Sequence, residues 1–133
     1  MIDIENQIIT DITTALTAVF PGIEVLSDTS QTPSKFPCVY VTESDNYVYT
    51  RSIDSGSNEN HAEVMYEINV YTNDAQGKKT KCKKIFNKVD EVMLNLGFIR
   101  LSKTPIPFDD ATKYRLVGRY VAVVSDDEVI YRR

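Results

Sequence analysis

The feature that most constrains this chain is a change of hydrophobic period within residues 59–97. Between positions 61 and 72, apolar and polar residues alternate, which is typical of a strand with one buried face. The apolar members of that alternation are Val64, Tyr66, Ile68 and Val70.

After a turn-forming segment at 73–77, apolar residues recur at helical spacing. These are Cys82, Ile85, Phe86, Val89, Val92, Met93 and Leu96. Gly97 then stands where a helix commonly ends. Because the connection is short, strand and helix must fold back on each other, and we expect them to form the core.

The remaining elements are predicted from the same periods. A first helix is expected over residues 3–20, before Pro21-Gly22. Strands are expected at 23–26, 38–43, 98–102 and 112–125, with a short edge strand or tail at 129–133. The pair Asp45-Asn46 fits either a bulge or a turn, so the second strand either resumes at 47–50 or ends. Residues 103–111, which contain two prolines, are predicted to be a long connection.

This order, α-β-β-β-α-β-β, predicts an α+β fold. We expect a mainly antiparallel or mixed sheet with two helices packed on one face. Towards the end of the last long strand both faces are apolar, which indicates cover on two sides or cover by another subunit. The chain has 133 residues and no internal repeat, so residues 1–133 are predicted to form a single domain.

Composition excludes several classes of protein. No apolar run approaches the ~20 residues that cross a bilayer, so no membrane partner is expected. The first ten residues carry two acids and no base, so we expect no secretory signal and a protein kept inside the cell or in a particle assembled there. Cys38 and Cys82 are predicted to be small buried hydrophobic residues. A net charge of −4 argues against general nucleic-acid binding.

The residues offer little catalytic chemistry. His61 is the only histidine, and nothing in the sequence places a nucleophile beside it. Asp109-Asp110 and the acids at 126–128 lack the spaced oxygen ligands of a calcium loop. Gly77-Lys78-Lys79 lacks the second glycine and the hydroxyl of a phosphate-binding loop. We therefore expect no catalytic residue, no metal site, no cofactor and no enzyme activity.

Two polar segments are the candidates for function. The connection over residues 51–60 is longer than an ordinary hairpin loop, so it is predicted to be either mobile or used for binding. Six lysines fall in the second helix: Lys78, Lys79, Lys81, Lys83, Lys84 and Lys88. They form either a solvated helix face, a contact with an acidic neighbouring subunit, or a nucleic-acid contact.

The succession of these segments resembles a known family. The segments that carry the resemblance are 36–41, 43–46, 59–60, 66–71, 77–79, 82–85, 93–100, 104–107 and 115–120. Over about residues 34–133 the chain is similar to the small tail-terminator, or tail-completion, proteins of tailed bacteriophages and prophages. The first helix fits that family in length and position.

This resemblance implies a structural role in a virion. Proteins of the family form a ring, usually hexameric, that caps the head-proximal end of the tail tube, ends tube polymerisation and offers a joining surface to the head. The implied partners are other copies of the chain, the tail tube protein and a head-completion or connector protein. No sequence-specific nucleic acid is implied, although the genome passes through such a ring. The resemblance also implies that the protein is located in the virion, after assembly in the bacterial cytoplasm.

The residues predicted to make subunit or tube contacts come from the polar segments. They are Arg51, Asp54, Asn58, Glu59, Asn60, Lys78, Lys81, Lys84, Asp109, Asp110, Asp126 and Asp127. Two structural alternatives stay open: a head-completion or connector protein of the same particle, and the cap of a phage-derived contractile tail. An alternative from a different class is a small nucleic-acid-binding accessory protein, which would bind through the lysines.

Overall fold

A computed structural model describes residues 4–27, 36–48, 61–74, 76–106, 112–125 and 130–131. Helix α1 covers Glu5–Val19 and helix α2 covers Lys78–Leu96. The strands are β1 Glu24–Leu26, β2 Cys38–Val48, β3 His61–Thr72, β4 Ile99–Pro105, β5 Tyr114–Ser125 and β6 Ile130–Tyr131. The predicted α+β order is confirmed, with β6 as the short final strand.

The strands form one mixed sheet in the order β1-β2-β3-β5-β4. Strand β1 pairs with β2 in parallel, and the other neighbours are antiparallel. Strand β3 pairs with β5 along its whole length, so the opposite edge of β5 is shared by β4 and, further along, by β6. Because β2 and β3 are paired, residues 49–60 connect two neighbouring antiparallel strands.

Both helices pack on the same face of this sheet, as the sequence predicts. Their buried residues join one side of the central strands in a single apolar cluster. The strand side of the cluster consists of Val39, Val41, Ala62, Val64, Tyr66, Ile68, Val70, Leu116, Tyr120, Ala122 and Val124. Helix α1 adds Ile8, Ile12 and Leu16, and α2 adds Cys82, Ile85, Phe86, Val89 and Met93. The predicted packing of α2 against β3 is therefore confirmed.

Local chemistry explains where α2 ends. Gly97 has φ 108°, a left-handed conformation that favours glycine. Its N–H donates to the Leu94 carbonyl at 3.1 Å, and the Phe98 N–H donates to the Met93 carbonyl at 3.0 Å. These bonds satisfy carbonyls that would otherwise lack partners at the helix end.

One open alternative is decided and one predicted boundary is corrected. The register of β2 shifts between Glu43 and Asp45, and its pairing with β3 then continues to Val48, so the bulge and not the turn is confirmed. Strand β4 reaches Pro105, so the segment 103–105 is strand and not part of a long connection. The Ile106 N–H donates to the Arg115 carbonyl at 3.0 Å. Because successive backbone N–H positions of a strand point to opposite sides, the nitrogen of Pro105 faces away from β5. Proline is tolerated there because no hydrogen bond to β5 is lost.

Candidate interaction surface

The lysines of α2 divide between two flanks of the helix. Lys84 and Lys88 line a groove beside Val19 and Phe20 at the end of α1. Lys79 and Lys83 lie on the opposite flank, because helical spacing places them in line with Phe86 and Asp90, which contact β4. Lys78, Lys81 and Lys88 are half-buried, whereas Lys79, Lys83 and Lys84 are exposed.

Some of these charges are compensated within the chain. The Lys81 ammonium lies 3.4 Å from an Asp74 carboxylate oxygen. The Lys88 ammonium lies 3.6 Å from Glu91, one turn further along the helix. Within the described residues, the exposed Lys79, Lys83 and Lys84 make no ion pair. These three ammonium groups are therefore available to an anionic partner.

A buried tyrosine ties α2 to the sheet beside the second flank. The Tyr120 hydroxyl donates to one Asp90 oxygen at 2.8 Å, and the Arg100 guanidinium binds the other at 2.8 Å. Burial, with the hydrogen bond to Asp90, raises the pKa of Tyr120. The Lys103 ammonium lies 5.1 Å from the centre of the Phe86 ring. These contacts fix the position of β4 relative to the helix.

The face of the sheet opposite the helices, called the open face here, carries a polar network. Arg115 donates from Nε and Nη2 to the side-chain oxygen of the buried Asn69, at 2.9 and 2.6 Å. The Asn69 amide donates to Glu67 at 3.3 Å, and Glu67 lies 3.5 Å from Arg119. The alternation in residues 61–72 puts Asn69 on the face opposite Ile68 and Val70, but neither its burial nor its partners follow from the sequence.

An aromatic cluster lies beside this network on the open face. Tyr40 and Tyr71 meet edge to face with ring centres 5.5 Å apart, and Cys38 packs with them. The Arg115 guanidinium lies 5.3 Å from the centre of the Tyr71 ring. Elsewhere on this face Val117, Val121 and Val123 are also buried. Strand β5 therefore has buried apolar side chains on both faces, in agreement with its apolar pattern.

Both cysteines are buried, as predicted, and neither is poised for chemistry. Burial raises the pKa of the Cys38 thiol to about 12, and nearby Glu24 adds to that effect. Burial raises the pKa of Cys82 to about 11, although a hydrogen bond with Thr72 opposes it. The Cys82 thiol donates to the Val70 carbonyl at 3.3 Å. Both groups stay protonated at neutral pH and act as packing residues.

Nine of the predicted contact residues lie outside the described part of the chain. They are Arg51, Asp54, Asn58, Glu59, Asn60, Asp109, Asp110, Asp126 and Asp127. Only the backbone of His61 is described, at the start of β3. In the ranges that are described, no group of three or more His, Cys, Asp or Glu side chains could hold a metal ion. Nor does either helix have the length and apolar character needed to span a bilayer.

Comparison with solved structures finds a similar fold. One match is a chain in the virion of a native gene transfer agent (GTA) particle, with a TM-score of 0.51 and 16% sequence identity. The match covers 89% of this chain and 84% of that chain. No family model and no curated protein matches this sequence. At this identity the likeness establishes the shared fold.

Proposed function

We propose that this chain is a structural protein of a phage-like particle and acts there as a tail terminator. Six copies would form a ring that caps the head-proximal end of the tail tube, ends tube polymerisation and provides the surface that joins the head. The observation that carries the proposal is the fold shared with a chain of a virion over 89% of this chain. The succession of tail-terminator-like segments over residues 34–133 supports the same role.

A closed ring requires two different, complementary surfaces on each subunit. The exposed lysines of α2 that make no ion pair within the described residues provide cationic groups for one such contact. Lys78, Lys81 and Lys84 remain proposed contacts with the tube or with acids of a neighbouring subunit, namely Asp109, Asp110, Asp126 and Asp127. Lys84 is the strongest of the three, because Lys81 already lies 3.4 Å from Asp74 and Lys78 is half-buried.

The connection between β2 and β3 is proposed as a second contact with the tube. It joins two antiparallel neighbours of 11 and 12 residues and contains Arg51, Asp54, Asn58, Glu59 and Asn60. Replacing residues 52–59 by a short Gly-Ser turn should leave the apolar cluster intact. Particles assembled with this variant should have tails of irregular length, and tails of normal length would remove the loop from the proposal.

The decisive experiment is deletion of the coding sequence from the genome that encodes the particle, followed by electron microscopy of the products. We expect overlong tails that are not attached to heads. Tails of normal length that fail to join heads would instead indicate a head-completion protein. Particles of normal appearance would overturn the structural role.

A complementation test examines the lysines. Lys81→Glu/Lys84→Glu supplied in trans should fail to restore tail length, while its circular dichroism spectrum matches the parent and its thermal stability falls only slightly through loss of the Lys81–Asp74 pair. Thr80→Glu, on the outer surface of the same helix, is the control and should restore tail length. Full complementation by the double variant would exclude Lys81 and Lys84 from the contact.

A further inference from the structure

The two lateral sides of the molecule differ in chemistry. One, called the β4 side here, consists of strand β4 and the adjacent flank of α2. The other, called the β1 side, consists of strand β1 and the flank of α1 that lies over it. Helix α1 contacts β1 and β2, whereas α2 contacts β3, β5 and β4. The two sides therefore lie at opposite ends of the sheet.

The β4 side is cationic and apolar. Lys79, Lys83 and Lys103 are exposed, and among the described residues none of them makes an ion pair. Of the four large hydrophobic residues exposed in the described part of the chain, three lie in β4 or the last turn of α2. They are Leu94, Ile99 and Leu101, which are 47%, 36% and 54% exposed. Apolar groups rimmed by charge are typical of protein contact sites.

Among the described residues, helix α1 and strand β1 carry acidic charge and no basic charge. Residues 4–27 contain no lysine or arginine and three acids: Glu5 and Glu24, which are the acids available to this side, and Asp11, which faces the groove shared with α2. Glu24 lies in β1 itself and makes no ion pair within the described residues. Within the described residues, the two lateral sides therefore carry charges of opposite sign.

The flank of α1 over β1 is lined by threonines. Asp11, Ala15 and Val19 face the grooves shared with α2, so helical spacing places Thr10, Thr13 and Thr17 on the other flank.

Two of these hydroxyls are satisfied within the helix. Thr13 donates to the Ile9 carbonyl at 2.6 Å, and Thr17 donates to the Thr13 carbonyl at 2.8 Å. With their hydroxyls bonded inside the helix, Thr13 and Thr17 present methyl groups outwards. Such a surface suits an apolar partner.

Strand addition is not how β4 would make contact. Its register shifts between Arg100 and Ser102, it carries Lys103, and it ends at Pro105. A bulge, an edge lysine and a proline all hinder backbone pairing with another strand. Contacts at this side must therefore run through side chains.

From these observations we propose that the β4 side of one copy docks on the β1 side of a second copy, head to tail. Leu94 and Leu101 would pack on the threonine flank, and Lys79, Lys83 and Lys103 would face the acidic charge of α1 and β1. Each pair leaves one β4 side and one β1 side open, so further copies add until the assembly closes. The arrangement rests on the proposed ring and identifies one subunit contact within it, separate from the contact proposed above for Lys84, which lies on the other flank of α2.

Cysteine cross-linking tests the arrangement, because the native Cys38 and Cys82 are buried. The variant Leu101→Cys/Thr17→Cys, treated with a bis-maleimide with an arm of ~10 Å, should give a ladder of covalent multimers. Leu101→Cys alone and Thr17→Cys alone should stay monomeric on denaturing gels. The matched control is Thr80→Cys/Thr17→Cys, whose first site lies on the outer surface of α2, and it should give no ladder.

The cross-linking is carried out on purified protein and on assembled particles, so that a chain that assembles only on the tube is also tested. Adding Lys79→Glu/Lys83→Glu to the cross-linking variant should reduce the yield of multimers by about tenfold. Dimers from Leu101→Cys alone would show that this side pairs with itself and would overturn the proposal. Absence of a ladder in both preparations would also overturn it.

Overlong tails in the deletion strain together with no ladder would reject this contact and keep the proposed function. A ladder together with normal tails would keep this contact and reject the proposed function.

Discussion

On the helix side of the sheet, buried apolar side chains form one continuous layer, whereas the open face is divided into zones of different chemistry. The first face holds both helices through the large apolar cluster. The second carries the aromatic cluster around Tyr40 and Tyr71, the polar network around Asn69, and the buried valines of β5. Burial on the helix side therefore supplies most of the stability, and the open face supplies specific pairings worth less each.

The largest expected difference in free energy of unfolding is between two phenylalanine variants, one on each face of the sheet. Phe86 is fully buried on the helix side, and Phe36 is half-buried against the aromatic cluster of the open face. Phe86→Ala should lower the free energy of unfolding by about 3–5 kcal/mol, because it leaves a cavity in the core. Phe36→Ala should cost less than half as much. Urea unfolding of both variants measures the difference, and equal losses would contradict the contrast between the faces.

A smaller effect is expected where Phe86 touches the sheet. A Cβ at Gly118 would lie 2.5 Å from the Phe86 ring, closer than side chains allow. Gly118→Ala should therefore cost about 1–3 kcal/mol through overpacking. Phe86→Leu provides the control, because it replaces the ring with a smaller side chain. The double variant Gly118→Ala/Phe86→Leu should therefore be more stable than the sum of the single changes predicts. If the losses in free energy of unfolding of the two single variants add up to the loss of the double variant, the residue at position 118 and the side chain at position 86 are not in steric conflict.

The helix side is also where the sequence was most informative. The bounds of β3 and α2 follow from two clear periods and from Gly97, which stops the helix. Strand β4 was predicted too short because a Thr-Pro-Ile-Pro segment has the composition of a loop, and only its edge position makes Pro105 acceptable. The open-face network could not be predicted, because Asn69 and Arg115 are 46 positions apart and meet only through the register of β3 with β5. Likewise, the six lysines were visible in the sequence, but their division between two flanks depends on where β4 and α1 lie.

The two cysteines, one on each face, predict a loss of stability in alkali. Their pKa values rise from 9.0 to about 12 for Cys38 and to about 11 for Cys82, so the folded state holds both protons more tightly than the unfolded chain. The stability they provide is therefore complete below pH 9 and is lost as pH rises above it. At pH 10, each thiol should account for about 1 kcal/mol of that loss. Cys38→Ala and Cys82→Ala should each flatten the decline between pH 9 and 11, measured by urea unfolding at each pH. An unchanged slope would show that the thiol ionises equally in both states.

The smallest single effect is expected within the open-face network, where two arginines on the same face of β5 have different surroundings. Arg119 is 46% exposed and lies 3.5 Å from Glu67, so solvent screens the pair and Arg119→Gln should cost no more than about 0.5 kcal/mol. Arg115 instead holds the side chain of Asn69, which is 1% exposed, with two hydrogen bonds. Arg115→Gln should cost about 1–2 kcal/mol, because it leaves a buried amide oxygen without its donors. Thermal unfolding at low salt and at 0.5 M NaCl separates the two cases, since salt should abolish the small effect at Arg119 and leave the effect at Arg115. Equal, salt-sensitive losses would show that the open face is held by charge alone and that the buried Asn69 contributes nothing to it.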